Sequence, residues 1–472
     1  MDALPQAQTG AASNGDGKPK PHVLVVPYPA QGHLLPLLDL VVLLAGRGLA
    51  LTVVVTQGNV QFLAALPPSV ATVVLPFPSA PLLPAGCGEN TKDLPADLFR
   101  PFMASVVGLS APLLAWCKAQ PRPVTSIPSD LFMGWTLPLA DELGVPHVAF
   151  SPTSVHYLAF TRFLWRRMPM GHDSDGEGGE RVVTFPELPG SPSIPWRRLS
   201  GLFRMHEAGD EVSETIRQIL LWSVESSCFV VNSFAALEAG CFRDALAAKR
   251  VFMVGPLSEA AGVRGGGGEP AEVCAWLDGF DDGSVVYICF GSQEALSPAQ
   301  AACLAEALRL SPTAAFVWVA RGGTVVPEGF EAATASRGRV VRGWAPQLDI
   351  LRHRAVGWTL THCGSNSVME SVAAGVALLT WPMAADQFTN AWLLAEAGAA
   401  VPVAEGADAV PDAEKMASAI SKAVTSEEGE STRRRAVELG RNVAAAVTAG
   451  GTSCGDLQEL VRALGNVDGL AS

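Results

Sequence analysis

The strand pattern VGWTLT runs into His-Cys-Gly-Ser-Asn-Ser at residues 362–367, and a helical pattern, VMESVAAG, runs out. A helix N-terminus presents N–H groups with no partner in the helix and a partial positive charge. Gly364 lets a ligand approach the backbone. Ser365, Asn366 and Ser367 are small polar residues of the kind found at helix caps. Together they form a cradle for phosphate oxygens. His362, at the strand end, can donate to the same oxygens. Glu370, one turn into the helix, would repel phosphate but could accept two hydroxyl hydrogens from a ribose. Taken alone, the same residues also describe a capped helix with a core histidine.

Two neighbouring motifs widen the chemistry. In WAPQ (344–347), Trp344 offers a flat face for a base and Gln347 a polar group within loop reach. In WPMAADQ (381–387), Asp386 and Gln387 end the next strand pattern. A carboxylate beside an amide is a clamp for sugar hydroxyls. An aromatic face, a ribose carboxylate, a phosphate cradle and a hydroxyl clamp together describe a site for a nucleotide sugar.

The elements that must position these groups follow from patterning. A chain of 472 residues, 49% hydrophobic, exceeds one ordinary core, so two domains of about 200 residues are expected. HVLVVP, LTVVV, ATVVLPF, SIPSDLF, HVAFSP and CFVVNSF are short runs apolar on both faces, as parallel strands covered by helices require. A helix is expected from about Leu34 to Ala45. The pattern restarts after a Gly-rich stretch with VVYICFGS, AFVWVA, RVVRGWA, VGWTLT and ALLTWP. Expected boundaries are a disordered tail over 1–21, a first Rossmann-like domain over 22–250, a linker over 251–272, a second Rossmann-like domain over 273–450, and a final helix and tail over 451–472. The fold class is α/β, with two Rossmann-like, doubly wound domains facing across a cleft at the C-terminal ends of their sheets, where such folds bind ligands.

Several classes are excluded or disfavoured. The net charge of −13, with no basic cluster, argues against nucleic acid. Nine scattered cysteines without a CxxC pair argue against a disulfide framework or a structural zinc site, and fit a reducing, cytoplasmic setting. The most apolar stretch, 34–55, is broken by Pro36, Asp39, Gly46, Arg47 and Gly48, so no membrane span is expected. HDSDGEGGE (172–180) holds the DxD pair Asp173 and Asp175 but lacks the spaced glutamate of a calcium loop. No metal site is expected there. A nicotinamide-dependent oxidoreductase would need GxGxxG after a strand, and neither PAQGHL nor FGSQEA supplies it.

The segment 344–387, WAPQLDILRHRAVGWTLTHCGSNSVMESVAAGVALLTWPMAADQ, resembles the plant secondary-product glycosyltransferase signature of the family 1 UDP-sugar-dependent enzymes. Asn390 fits as well. PAQGHLLPLLDL, SDLFMGWTLPLADELGVPHVAFSP, VNSFAALE, VGPLS and VVYICFGS extend the similarity along most of the chain. The resemblance implies the two-domain GT-B fold. It implies that Trp344 stacks on uracil and the Ala345 backbone pairs with its edge. Gln347 and Glu370 would hold the ribose; His362, Asn366 and Ser367, with Ser292, the phosphates; Asp386 and Gln387 the sugar. It also makes His33, in PAQGH, the base for an acceptor hydroxyl, with Asp130 orienting its ring; without it, His33 reads as a helix-capping histidine and Asp130 as a helix N-cap before LFMGW. The implied reaction is a single inverting displacement giving a β-glycoside, needing neither metal nor cofactor, by a monomer acting on a phenolic acceptor such as a flavonoid.

Two positions depart from the pattern. Ser365 stands where most members carry Trp beside the donor sugar, which leaves glucose, glucuronate, galactose and pentoses as candidate donors. Ala377 replaces a usual Pro. A binding protein without catalysis is the remaining alternative, against which His33 and Asp130 argue. Phe150, Tyr157, Phe160, Phe163 and Trp165 could line a flat acceptor site or pack in the core.

Overall fold

The computed structural model describes residues 20–466, other than 80, 85, 174–179, 239–242, 247–248, 258–269, 292–294, 322 and 344. Most of the expected tail and linker, and the site candidates Ser292 and Trp344, lie outside the described residues, as does Asp175.

The chain divides into two compact units, Met1–Ser233 with Gly240–Val263 and Ala449–Ser472 in one, and Phe234–Ala239 with Arg264–Thr448 in the other. The first unit contains β1 (His22–Val25), β2 (Ala50–Thr56), β3 (Ala71–Leu75), β4 (Ile127–Asp130), β5 (His147–Ser151), β6 (His172–Asp173), β7 (Arg181–Thr184), β8 (Ser193–Pro195), β9 (Cys228–Val231) and β10 (Arg250–Met253). Two parallel runs, β3-β2-β1 and β4-β5-β9-β10, are joined where Val23 bridges Ser126 and Val26 bridges Ser129. Strand order therefore reverses between β1 and β4. Chains leaving β1 and β4 turn to opposite sides, and the gap at their C-terminal ends is where an α/β sheet presents its chemistry. The strands are apolar on both faces because helices cover both, and Val23, Val25, Val53, Val148 and Val230 sit in one core.

The second unit holds one parallel sheet of β11 (Val285–Cys289), β12 (Ala315–Ala320), β13 (Gly338–Arg342), β14 (Val356–Thr361), β15 (Ala377–Thr380) and β16 (Ala400–Pro402). Its order, β13-β12-β11-β14-β15-β16, reverses between β11 and β14. Phe316, Trp318, Trp358 and Trp381 are buried on one face, and Tyr287, Val317 and Val356 on the other.

Some elements differ from expectation. Residues 251–253, placed in the linker, belong to β10, which continues the first sheet beside β9. Only four residues long, it lies at the sheet edge, where a strand can be short. The last helix, Thr452–Gly465, packs with the first unit through Leu457, Leu460 and Leu464. Asp456 accepts from the Met253 N–H at 2.7 Å, and Ser453 donates to the Gly255 carbonyl at 2.7 Å. The short strands β6, β7 and β8 form a small antiparallel sheet. The stretch Ala96–Lys118 is long and apolar enough to cross a membrane by length and composition. Its Phe102, Met103, Val106 and Leu113 are buried inside the first unit, with Phe102 against the rings of Tyr28 and Phe77.

Candidate active site

At the reversal point of the first unit, the chain leaves β1 and enters a helix at Gln31. The Ala30 carbonyl accepts from the N–H groups of His33 and Leu34 at 2.9 and 2.7 Å, so the helix starts three residues before Leu34, the expected start. His33 is thus a first-turn residue, but its ring does not cap the helix. Its Nδ1 lies 3.0 Å from both carboxylate oxygens of Asp130, at the end of β4. Asp130 is fully buried and also accepts from the Phe132 N–H at 2.9 Å. Asp130 thus caps the short 3₁₀ turn Leu131–Met133 and at the same time lies against the His33 ring. With Nδ1 committed to a carboxylate, Nε2 is the nitrogen that can take a proton.

Aromatic rings fix the imidazole. Phe132 stacks on it at 4.5 Å between centroids, and Tyr28 meets it edge-on at 5.6 Å. Burial, aided by the charge of Asp130, holds the Tyr28 phenol well above its usual pKa of 10, so it stays neutral. Neither ring was singled out from sequence; an aromatic next to PAQGH and another after SD were the available signals.

At the reversal point of the second unit, β14 is followed by His362, Cys363 and Gly364, and a helix runs over Ser365–Ala373. Cys363 has φ +66°, a conformation unusual for a side-chain-bearing residue. The imidazole of His362 is enclosed between two glycines. A β-carbon on Gly291, after β11, or on Gly364 would approach within 2.6 Å of the ring. Burial lowers the His362 pKa to about 4, against a smaller upward pull from Asp386. The ring is therefore neutral at pH 7 and offers an N–H rather than a full charge. Gly364, the N-cap residue, has no side chain with which to cap the helix, so it takes up none of the first-turn backbone N–H groups.

Gln347, which opens the short helix Gln347–Leu351, donates from Nε2 to Glu370 Oε2 at 2.5 Å. Its Oε1 accepts from the Tyr287 hydroxyl on β11 at 3.1 Å. Tyr287 is the residue that sequence reasoning missed here. A tyrosine in an aliphatic buried strand must place its hydroxyl somewhere, and that was the usable signal. Ala345 is buried beside this pair, and its carbonyl accepts from the Gln347 N–H at 2.9 Å. Asn366 and Ser367 lie in the first turn of the Ser365–Ala373 helix.

Asp386 precedes the helix Gln387–Glu396. The Gln387 Oε1 accepts from the N–H groups of Met383 and Ala384 at 2.8 and 2.9 Å, which leaves its NH₂ as the end it can present to a ligand. Ser365 Oγ donates to Asp386 Oδ2 at 2.6 Å, so the junction and the clamp, 21 residues apart, are one network.

The aromatic acceptor candidates are mostly core. Phe150, Phe160, Phe163 and Trp165 are buried, Phe160 and Phe163 against Phe185 and Trp165 against Phe203. Three of them follow the buried face of the helix Val155–Arg167, which leaves Tyr157, half-buried, as the most accessible member of the set.

Each unit is a parallel α/β sheet with a polar constellation where its strand order reverses, and the fold is the GT-B fold of plant UDP-glycosyltransferases. Residues 267–428 match the family model described as UDP-glucoronosyl and UDP-glucosyl transferase. The chain is 42% identical to UDP-glycosyltransferase 89B2 of Stevia rebaudiana, over 93% of this chain and 97% of that one. It is 41% identical to the flavonol 3-O-glucosyltransferase UGT89B1 of Arabidopsis thaliana, over 94% of this chain and 96% of that one. The crystal structure of Arabidopsis thaliana UGT89C1 with UDP-L-rhamnose matches with a TM-score of 0.76 at 33% identity, covering 95% of this chain and 100% of the other. The same protein has been crystallised with quercetin, matching at a TM-score of 0.75. The chain belongs to the plant family 1 UDP-glycosyltransferases, enzymes that move a sugar from a UDP-sugar to small molecules.

Proposed function

We propose that this enzyme transfers a sugar, glucose first among the candidates, to a hydroxyl of a phenolic acceptor such as a flavonoid, giving a β-O-glycoside. The observation that carries the catalytic half is the His33–Asp130 pair, 3.0 Å apart with the carboxylate buried. His33 Nε2 removes the acceptor proton while the acceptor oxygen attacks the anomeric carbon. The bond from that carbon to the β-phosphate oxygen breaks, and its electron pair leaves with UDP. Asp130 holds Nδ1–H and stabilises the imidazolium as it forms. Attack opposite the leaving group inverts the anomeric centre.

Departing UDP gathers negative charge, which the first turn of the Ser365–Ala373 helix and the neutral His362 N–H are disposed to receive. These donors take the part that a divalent cation would otherwise fill. Glu370 and Gln347 hold the ribose, and Asp386 and Gln387 the sugar. Relatives acting on flavonols support the acceptor class, and the crystallised UGT89C1 complex with UDP-L-rhamnose keeps other donors open. Free cysteines throughout the described residues support a cytoplasmic setting.

The test is UDP release across a matrix of donors (UDP-glucose, UDP-galactose, UDP-glucuronate, UDP-xylose, UDP-rhamnose) and phenols including quercetin. Acceptor-dependent release with at least one flavonoid, fastest with UDP-glucose, is expected. Release that ignores the phenol in every combination would contradict the acceptor class, and a faster donor would replace glucose.

A further inference from the structure

Phe132 touches both members of the His33–Asp130 pair. Its backbone N–H donates to Asp130 Oδ1 at 2.9 Å, and its ring lies over the His33 imidazole, with centroids 4.5 Å apart and planes 29° apart. The half-buried ring is held from other sides as well. Tyr28 meets it at 5.3 Å with the planes at 87°. The turn Leu131–Met133 is pinned to the helix Glu211–Val224, where Ser223 Oγ donates to the Leu131 carbonyl at 2.6 Å and a β-carbon on Gly134 would collide with the Ile219 carbonyl. The stack is therefore built into the fold.

The face of an aromatic ring carries the negative part of its quadrupole and attracts a cation within about 6 Å of the centroid. A neutral imidazole gains little from this; an imidazolium gains the charge attraction. The same ring also keeps water off one face of the imidazole, which works against the charged form. Asp130 meets the charge at Nδ1, in the plane of the imidazole, and Phe132 meets it at the ring face, where no hydrogen bond can form. Tyr28, the other titratable neighbour that meets the ring, is held neutral by burial and by Asp130. Asp39 is buried on the same helix six residues further on, about 9 Å along its axis.

We infer that Phe132 is a positioning residue that also strengthens the base: its ring face favours the imidazolium that His33 becomes on taking the acceptor proton at Nε2. This rests on the assignment of His33 as the base. The positive charge created by that transfer is met by the Asp130 carboxylate on one side and by the Phe132 ring on another. Any side-chain change at 132 leaves the backbone N–H that bonds Asp130, so the ring can be altered while that bond is kept.

The experiment replaces Phe132 with 4-fluoro-, 3,5-difluoro- and pentafluorophenylalanine, beside Phe132→Leu and His33→Ala, and measures kcat, acceptor KM, UDP affinity and the pH dependence of kcat/KM. Fluorination withdraws charge from the ring face in steps while nearly keeping its volume, so the shielding of the imidazole from water stays. The expected result is a kcat that falls stepwise with fluorination, by roughly three- to tenfold for the pentafluoro ring. The acid limb of the profile should move to lower pH in the same order, because the imidazolium has lost a stabilising contact. Acceptor KM and UDP affinity should hold. A kcat and a limb that ignore fluorination, with His33→Ala inactive, would overturn the inference and leave the base assignment standing, even if Phe132→Leu loses activity through packing. A series that raises acceptor KM at constant kcat would assign the ring to the acceptor instead and overturn it too. Activity of His33→Ala within a few-fold of the parent would overturn the base assignment itself.

Discussion

The substitution Asp130→Asn removes a charge from the site while keeping its shape. Both carboxylate oxygens lie 3.0 Å from His33 Nδ1. Once the ring has taken a proton, the two charge centres are about 4 Å apart, and at an effective dielectric of about 20 the attraction is about 4 kcal/mol. If half or more of it is present at the transition state, its loss raises the barrier by about 2–4 kcal/mol. That corresponds to a fall in kcat of roughly 30- to 1000-fold. The amide oxygen of the variant can still accept from the Phe132 N–H that Asp130 caps, so the local backbone should persist. An amide NH₂ turned toward Nδ1 would also drive the ring proton to Nε2, where it blocks base function. The assay is kcat at saturating donor and acceptor, with UDP affinity measured separately, since the residues assigned to UDP belong to the other unit. A kcat within fivefold of the parent, in a folded variant, would refute the role of the pair.

Other expectations follow from the same geometry. His33→Ala should lower kcat by roughly two to four orders of magnitude with UDP affinity nearly unchanged; activity within a few-fold of the parent would remove the base assignment. Glu370→Ala should weaken UDP binding by about 1.5–3 kcal/mol through loss of charge-assisted hydrogen bonds, and it also releases Gln347, which calorimetry would register as unchanged affinity only if the ribose lies elsewhere. EDTA should leave turnover intact; abolition by EDTA and restoration by Mg²⁺ or Mn²⁺ would show that the helix start and His362 do not suffice. His147 is buried among Ser129, Thr136 and Ser226, and burial lowers its pKa from 6.5 to about 3. Because the unfolded chain takes up the proton first as pH falls, the stability that depends on neutral His147 is complete above about pH 6.5 and is lost toward pH 3. The slope is at most about 1.4 kcal/mol per pH unit, so His147→Gln should flatten the acid side of a stability-against-pH curve, and an unchanged curve would refute this source of acid lability.

Much of the architecture was legible because buried parallel strands announce themselves as runs apolar on both faces. HVLVVP, SIPSDLF, VVYICFGS and VGWTLT are such runs, and they flank the two reversal points. The small edge strands were not legible: Arg250–Met253 follows a basic residue, Ala400–Pro402 has three residues, and β6–β8 have two to four residues each. Within the site, the residue types at His362–Ser367 and Glu370 carried the phosphate and ribose reading locally. What sequence could not give was the cross-chain closure. Gly291 lies against His362, Tyr287 meets Gln347, and Ser365 bonds to Asp386, each pair brought together by sheet register rather than by proximity in sequence. The aromatic run 157–165 shows the opposite failure, since its helical spacing fits a binding face and a buried face equally, and burial decided for the core.

The central claim is inverting transfer from a UDP-sugar to a phenolic hydroxyl. Its most direct test is the anomeric configuration of the product formed from UDP-α-glucose and quercetin, read by proton NMR. The large coupling of a trans-diaxial anomeric proton, that of a β-glucoside on a phenolic oxygen, is the result expected. An α-linked product would contradict the single displacement assigned to His33, Asp130 and the leaving UDP.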